Sequence, residues 1–399
     1  MTTNRRQAAC LRWGGFAVIA TCFCIPLSTS LMELGSALVI LFWLGSGRAT
    51  ILGRLLRRQP AAALAALLFL YFLVAVSYSP ADWGAAVAIL MKYRELLLLP
   101  LVLSLALGDQ ALIRRAENGF VAGAMVLMLI SYAMGLGLIP SAKYGNSLLF
   151  HITHSFFMAL LAYWTLQRAI DRPRHRLPWA SAFLLATANL IFITPGRTGM
   201  FTFAVLLGFA ALQRLNLKKR LAGCLVLILL IPAGFMLSTN VSSRVQQALQ
   251  DIIHYEPGTS RSSLGMRLDW WGNSIELIKE RPLFGHGTGA FAVRQQELIA
   301  GGATMPSDNP HNEYLFIGVQ LGLTGLALFL ALLASQWVAA AGLERHRRFL
   351  LQGIVLTMAT GCLMNSFLFD SHQGHFYAFL SALLLAAPPE RPTTSVPAD

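Results

Sequence analysis

The sequence predicts an all-α integral membrane protein. Of its 399 residues, 56% are hydrophobic and only 12% are charged, and the mean hydropathy of +0.59 is far above that of soluble domains. Apolar runs near the roughly 20 residues that a helix needs to cross a bilayer recur from one end of the chain to the other, and strands of alternating polarity do not appear. The chain is therefore expected to form a helical bundle that crosses the membrane many times.

We expect about twelve membrane-spanning helices. The candidate segments are residues 12–29, 30–46, 60–79, 87–107, 118–139, 150–169, 178–194, 199–214, 221–239, 311–333, 349–368 and 374–388. No small-residue cleavage site follows the first of them, so it is expected to be a retained helix and not a secretory signal. The predicted organisation is nine spans within residues 1–239, a long loop at 240–310, three spans within 311–388 and a tail at 389–399.

Membrane topology explains the net charge of +13. The basic residues cluster in every second connection between the predicted spans: Arg48, Arg54, Arg57 and Arg58; Arg114 and Arg115; Arg168, Arg172, Arg174 and Arg176; Arg214, Lys218, Lys219 and Arg220; Arg345, Arg347 and Arg348. The positive-inside rule requires this arrangement for an even number of spans with both ends in the cytoplasm. We therefore expect cytoplasmic termini and no nucleic-acid partner.

The basic residues on the opposite, outer side are not explained by orientation. They are Lys92, Arg94, Lys143, Arg197, Arg244, Arg261, Arg267, Lys279, Arg281 and Arg294. Most fall within residues 240–310, and loops of this length are uncommon without a function. Within the loop, "SSRVQQALQDII" and "RLDWWGNSIELIKER" each place apolar residues on one helical face, which predicts two short amphipathic helices on the bundle or the lipid surface.

Four outer cations are candidates for binding an anion. Arg197, in "TPGRTG", lies at the predicted start of a helix, whose free N–H groups favour negative charge. Arg267 begins a helix that contains Trp270 and Trp271. For both arginines the alternative is contact with lipid phosphates at the interface. Lys92 and Arg94 lie within a predicted span, where charges usually face a polar cavity, but the adjacent Glu95 could instead satisfy them.

The nine histidines do not predict a metal site. His151, His154, His286, His311, His372 and His375 fall at outer ends of spans or in the loop, whereas His175, His254 and His346 are expected to face solvent. Several of them could converge in space, but no HExxH motif is present, and the carboxylates are not expected to cluster beside the histidines. The five cysteines lie in or beside apolar spans, so neither a disulfide framework nor a cysteine metal site is expected.

Three motifs resemble those of one bacterial family. "HNEYLFIGVQLGLTG" contains His311-Asn312, nine further residues and then Gly-Leu-Thr-Gly at 322–325, which is similar to the H-[NSQ]-x9-G-x-x-G pattern of O-antigen ligases and related oligosaccharyltransferases. "GMRLDWWGNSIELIKERPLFGHGTGAF" resembles the family's loop segment, and "PGRTG" resembles its outer turn with an essential arginine. Together with about twelve spans and one long loop, the resemblance covers most of the chain.

The resemblance implies a lipid-dependent glycosyltransferase of GT-C-like architecture in the bacterial inner membrane. Such an enzyme takes a polysaccharide from undecaprenyl diphosphate and joins it to a sugar hydroxyl of lipid A-core on the periplasmic face. The family is regarded as independent of metal and nucleotide, so we expect no cofactor. By position, His311 matches the proposed catalytic histidine, Arg197 the outer-turn arginine and Arg267 the loop arginine. Asn312, His286, Lys92 and Arg94 are possible substrate-binding or orienting residues.

The chemistry of these residues suits that reaction. A neutral imidazole can take the proton of the acceptor hydroxyl, and two guanidinium groups can hold a diphosphate. We expect Gly322 and Gly325 to have a structural role, letting a neighbouring helix approach closely near His311. The alternatives are an O-antigen polymerase, a protein O-oligosaccharyltransferase and a transporter of the same lipid. A transporter would be expected to carry charged residues along a path through the middle of the membrane.

Overall fold

The computed structural model describes residues 4–214, 239–259, 261–302 and 304–388, and the regular secondary structure of these residues is helical. The first half of the chain contains α1 (Arg5–Cys24), α2 (Thr29–Gly45), α3 (Ala49–Arg58), α4 (Pro60–Ala75), α5 (Trp83–Lys92), α6 (Glu95–Ala106), α7 (Gln110–Gly135), α8 (His151–Asp171), α9 (Arg176–Ala188) and α10 (Arg197–Arg214). The second half contains α11 (Thr239–Ile253), α12 (Ser263–Glu280), α13 (Ala290–Leu298), α14 (Glu313–Ala340), α15 (Arg345–Met364) and α16 (Ser371–Leu385).

Several helices are long and apolar enough to cross a membrane. Within the described residues, five segments meet this criterion: Arg5–Cys24, Pro60–Tyr78, Gln110–Gly135, Pro173–Ile193 and Glu313–Ala340. The pair Thr29–Gly45 and Ala49–Arg58, bent by 104°, would make a sixth. These helices make the chain a multi-pass membrane protein, and the total of twelve spans stays a prediction. The predicted ninth span, 221–239, lies almost wholly outside the described residues.

Short polar side chains fix where many of the helices begin. Asp82, Asp109 and Asn312 each accept a hydrogen bond from a backbone N–H in the first turn, at 2.9–3.2 Å. Such caps satisfy N–H groups that have no partner within the helix. The local sequence thus sets where these helices begin.

The predicted fourth span is wrong as a single helix. Residues 87–107 instead belong to α5 and α6, which are separated at Tyr93. Tyr93 leaves the helical conformation (φ −98°, ψ 5°), and its buried ring stacks on Phe72 with centroids 3.9 Å apart. Its hydroxyl donates to Oε1 of Glu313 at 2.9 Å. The break therefore turns a tyrosine into the core, where it meets the start of α14.

Three helices lie in the predicted loop, one more than expected. α11 and α12 coincide with the two predicted amphipathic segments, and α13 is additional. α12 and α13 pack on α14. We call the end of the bundle that carries these helices the loop end.

Two glycine-containing motifs interlock at the loop end. Gly322 interrupts α14 with φ +65° and ψ −166°, and a Cβ there would lie 2.5 Å from the carbonyl carbon of Leu283. A Cβ on Gly285 would likewise lie 2.6 Å from the amide nitrogen of Gly322. The amide of Leu323 donates to the carbonyl of Pro282 at 2.7 Å. The close neighbour of Gly322 is therefore loop backbone and not the helix that we expected, because the loop fills the notch made by the kink.

Candidate active site

One cavity at the loop end brings together the three main candidates from the sequence. It has a volume of about 520 Å³ and is lined by Phe150, His151, Ile152, Pro195, Arg197, Thr198, Phe201, Ser263, Leu264, Arg267, His311 and Met364. Arg197, Arg267 and His311 thus share one space, although they lie far apart in the chain. The volume is typical of a site for a small molecule or a headgroup.

Four helices begin at this cavity. His151 and Arg197 are the first residues of α8 and α10, Ser263 is the first residue of α12, and His311 lies two residues before α14. A helix N-terminus presents free N–H groups and the positive end of the helix dipole. Side chains already cap the ends of α12 and α14, so the starts of α8 and α10 are the ends that favour an anion in this space.

Glycines place Arg197 at the cavity. A Cβ on Gly196 would lie 2.9 Å from the carbonyl oxygen of His151, and one on Gly199 would lie 2.3 Å from Cβ of Ser155. The start of α10 therefore packs directly against α8. The side chain of Arg197 is 35% exposed, and one of its terminal nitrogens lies 3.8 Å from a carboxylate oxygen of Asp251 on α11.

Arg267 is oriented by the end of α15. One of its terminal nitrogens donates to the carbonyl oxygen of Met364 at 2.8 Å. The guanidinium group has five N–H donors, so others can serve a ligand. Burial lowers the pKa of Arg267, and the nearby charge of Arg197 lowers it further. Two cations held this close favour binding of a shared anion.

The backbone presents His311 in an uncommon conformation. Its φ is +53°, in the left-handed region that costs most residues about 1–2 kcal/mol. The amide of His311 donates to Oδ1 of Asn309 at 2.7 Å, and the carbonyl of Pro310 accepts from the Trp271 indole at 2.9 Å. The Trp270 ring lies beside the imidazole, with centroids 5.6 Å apart. The loop helix α12 thus supports the histidine directly.

A hydrogen-bonded series fixes the imidazole. Nδ1 of His311 lies 2.9 Å from Oδ1 of Asn365, and Nδ2 of Asn365 donates to Oδ2 of Asp370 at 2.9 Å. Because the carboxylate takes the amide N–H, Oδ1 of Asn365 is left to accept from Nδ1 of His311. This assigns the proton to Nδ1 and leaves a lone pair on Nε2.

Electrostatics keep this imidazole neutral. Burial lowers the pKa of His311, Asn365 opposes the shift, and the positive charge of Arg267 lowers the pKa further. For Asp370, burial raises the pKa to about 7, against the effect of Lys92. Because its own pKa is lowered, His311 is in the neutral, basic form at neutral pH and can accept a proton.

Asn365 and Asp370 were missed by the sequence analysis. They lie in "NSFLFD", the short connection between α15 and α16. Glu313 holds this connection, because its carboxylate accepts from the amides of Leu368 and Phe369 at 2.9 and 3.1 Å. The available signal was the presence of Asn and Asp in a six-residue link between two apolar spans.

Two other candidates support the fold near the site without lining the cavity. Asn312 is the N-cap of α14, and its Nδ2 donates to the carbonyl of Leu363 at 3.2 Å. Asn365, and not Asn312, contacts the imidazole of His311, and a role for Asn312 in binding or orienting a substrate stays a prediction. His286 is buried, and its Nε2 lies 2.8 Å from the carbonyl of Leu277.

Lys92 and Arg94 also lie outside the cavity lining. Nζ of Lys92 lies 5.6 Å from the centroid of the Phe369 ring. Arg94 pairs with Glu33 on α2. The expectation that Glu95 would satisfy this pair is wrong, because the break at Tyr93 directs Glu95 into the core, where its exposed fraction is 0%.

Two expectations about the histidines also need correction. His346 is not solvent-facing, since its side chain is only 19% exposed and Nδ1 lies 2.7 Å from Oδ2 of Asp171. His175 and His254 are exposed as expected. Carboxylates do gather beside one histidine in space, because Glu33 and Glu95 lie next to His375. The sequence did not indicate this group, because its members lie far apart in the chain, on three different helices.

The chain is similar to known proteins in part of its length. The O-antigen ligase family model matches residues 181–330, a range that contains Arg197, Arg267, His311 and both motif glycines. An uncharacterized protein of Haemophilus influenzae is 28% identical over 166 residues, which cover 39% of this chain and 41% of that relative. The chain thus spans less than half the length of that relative.

Proposed function

We propose that this chain, whose residues 181–330 match the O-antigen ligase family model, transfers a polysaccharide from undecaprenyl diphosphate to a sugar hydroxyl of lipid A-core. The reaction would take place at the loop end, on the periplasmic face of the inner membrane. The observation that carries this proposal is the single cavity that contains Arg197, Arg267 and His311.

The donor diphosphate would occupy the part of the cavity near Arg197 and Arg267. Guanidinium groups bind phosphate oxygens in pairs through their planar fork. The helix N-termini at the cavity add partial positive charge without the cost of moving it. Apolar side chains such as Phe150, Ile152 and Phe201 line the same space, and this low-dielectric wall strengthens each charge interaction.

His311 would act as the general base. The acceptor hydroxyl oxygen attacks C1 of the first donor sugar, and the bond from C1 to the diphosphate oxygen breaks. The hydroxyl proton passes to Nε2 of His311, and undecaprenyl diphosphate leaves with the bonding electron pair. A single displacement of this kind inverts the anomeric carbon.

The arginines would stabilise the charge that develops on the leaving diphosphate. This is the task that a divalent metal performs at other diphosphate sites. Two fixed cations in a partly dry cavity can perform it when they are oriented before the reaction. Met364 and Asp251 provide this orientation for Arg267 and Arg197, respectively.

The test is reconstitution of the purified protein with glycan-bearing undecaprenyl diphosphate and core-terminated lipopolysaccharide. We expect glycan to appear on the lipopolysaccharide, seen as a gel shift, and added Mg²⁺ to leave the rate unchanged. His311→Ala should abolish the shift, whereas Arg281→Ala, at an exposed loop position, should retain it. Lengthening of the glycan on its lipid carrier without transfer to lipopolysaccharide would identify a polymerase and contradict the proposal.

A further inference from the structure

A buried group of acidic and imidazole side chains lies outside the catalytic cavity. Glu33 is on α2, Glu95 is the first residue of α6, and His375 is on α16. One ligand atom from each of the three lies within 4.8 Å of the others. The group joins three helices at the loop end, and the proposed transfer reaction does not use it.

Two of these side chains are buried and carry polar atoms that have no hydrogen bond. Glu95 and His375 both have exposed fractions of 0%. Neither carboxylate oxygen of Glu95 has a hydrogen bond, and Nε2 of His375 has none either. Oε1 of Glu95 lies 3.2 Å from Nδ1 of His375. A buried carboxylate without hydrogen bonds nevertheless costs several kcal/mol, so a cation is expected to compensate it.

The tautomer of His375 suits a metal ligand. Nδ1 lies 2.7 Å from the carbonyl oxygen of Ser371, one turn earlier on α16, so Nδ1 carries the proton. Nε2 is left with its lone pair, and it faces Oε2 of Glu33 at 3.8 Å. Metal-binding histidines commonly donate their other ring N–H to a backbone carbonyl in this way.

A proton alone does not complete the group. If Nε2 were protonated, it would be too far from Glu33 for a hydrogen bond. The N–H on Nδ1 lies 3.2 Å from Oε1 of Glu95 but bonds to Ser371, so Oε2 of Glu95 would still lack a donor. Ligand atoms on a tetrahedral zinc ion are about 3.4 Å apart, from bond lengths of about 2.0–2.1 Å. The separation of 3.8 Å between Glu33 and His375 is close to this value.

We infer that Glu33, Glu95 and His375 form a structural binding site for one divalent transition-metal ion. Two carboxylates and one imidazole suit Zn²⁺ or Mn²⁺. Arg94 pairs with one oxygen of Glu33 and orients the other toward His375. The ion would join the starts of α2, α6 and α16. This site is separate from the diphosphate cavity and does not depend on the proposed reaction.

The test counts zinc in the full-length protein, purified with an affinity tag that contains no histidine. After treatment with a chelator, the protein is incubated with Zn²⁺, separated from free ion by gel filtration and analysed by inductively coupled plasma mass spectrometry. We expect one zinc ion per chain and a higher melting temperature with zinc. Glu95→Gln and His375→Ala should lose the ion, whereas His254→Ala, an exposed loop histidine, should keep it.

X-ray absorption spectroscopy of the zinc-loaded wild-type protein is a second test, and its result does not depend on whether a variant folds. We expect oxygen and imidazole nitrogen ligands around the ion. Sulfur ligands would overturn the inference, because they would place the ion on cysteines such as Cys22 or Cys24. Wild-type protein that binds no zinc, or folded variants that bind as much as wild type, would also overturn it.

Discussion

His311 and Asn365 lie 54 positions apart in the chain, yet Nδ1 of the imidazole is 2.9 Å from the amide oxygen. The contact joins the segment just before α14 to the connection that follows α15. It selects the tautomer in which Nε2 carries the lone pair. The catalytic competence of His311 in our proposal therefore depends on a residue that no motif indicates.

Asn365→Ala should lower kcat by about 10- to 1,000-fold, somewhat less than the about 100- to 10,000-fold that general base catalysis contributes. The imidazole would remain, but its tautomer and orientation would no longer be fixed. Asn365→Asp should recover part of the rate, because a carboxylate oxygen can still accept from Nδ1. It should also move the acid limb of the pH profile upward, since a nearby negative charge raises the pKa of His311. An alanine variant with wild-type kcat would remove Asn365 from the mechanism.

The pH dependence of the reaction should reflect the lowered pKa of His311. The active form is the neutral imidazole, so activity is lost as pH falls through this pKa. Because burial and Arg267 lower the pKa, the acid limb of kcat/KM should lie below the ordinary value of about 6.5. Arg267→Gln removes one of these causes, and its residual activity should show an acid limb at higher pH. A limb above the ordinary value in the wild type would contradict a buried, neutral base.

The helical bundle and the cavity residues could be predicted from two different features of the sequence. Long apolar runs identify helices directly, and the motif spacing around Arg197, Arg267 and His311 gave residues that the fold then brought together. Asn365 and Glu95 could not be assigned in this way, because their partners come from distant helices. The break at Tyr93 was missed for a similar reason. The tyrosine at the break is held by a hydrogen bond to Glu313, which exists only once the two segments have packed.

Transfer activity should depend on the planar guanidinium groups of the two cavity arginines as well as on their charge. Arg197→Ala and Arg267→Ala should each lower kcat/KM by about 100- to 1,000-fold, in the range seen for a removed oxyanion donor. The lysine variants keep the charge but cannot bind two oxygens at once, so they should retain only part of the activity. Arg281→Lys, at an exposed position in the same loop, is the matched control. Full activity in both lysine variants would show that charge alone suffices. It would contradict the proposal that each guanidinium group binds two phosphate oxygens at once.

The contact between Gly322 and the loop should be essential for stability. Alanine at 322 would have to adopt φ +65°, at a cost of about 1–2 kcal/mol, and its Cβ would lie 2.5 Å from the backbone of Leu283. Flexible side chains can yield at such a distance, but backbone cannot do so without moving. The segment that contains Gly285 would then separate from α14 and carry α12, with Arg267, away from His311.

We therefore expect Gly322→Ala to lower the melting temperature in detergent by several degrees and to reduce transfer activity with it. Gly272→Ala is the control, since this glycine lies within α12 and a Cβ there meets no atom within 4 Å. That substitution should leave the melting temperature unchanged or raise it, because alanine is favoured over glycine inside a helix by about 1 kcal/mol. Equal melting temperatures for the two variants would mean that the loop does not depend on the notch at Gly322 for its position.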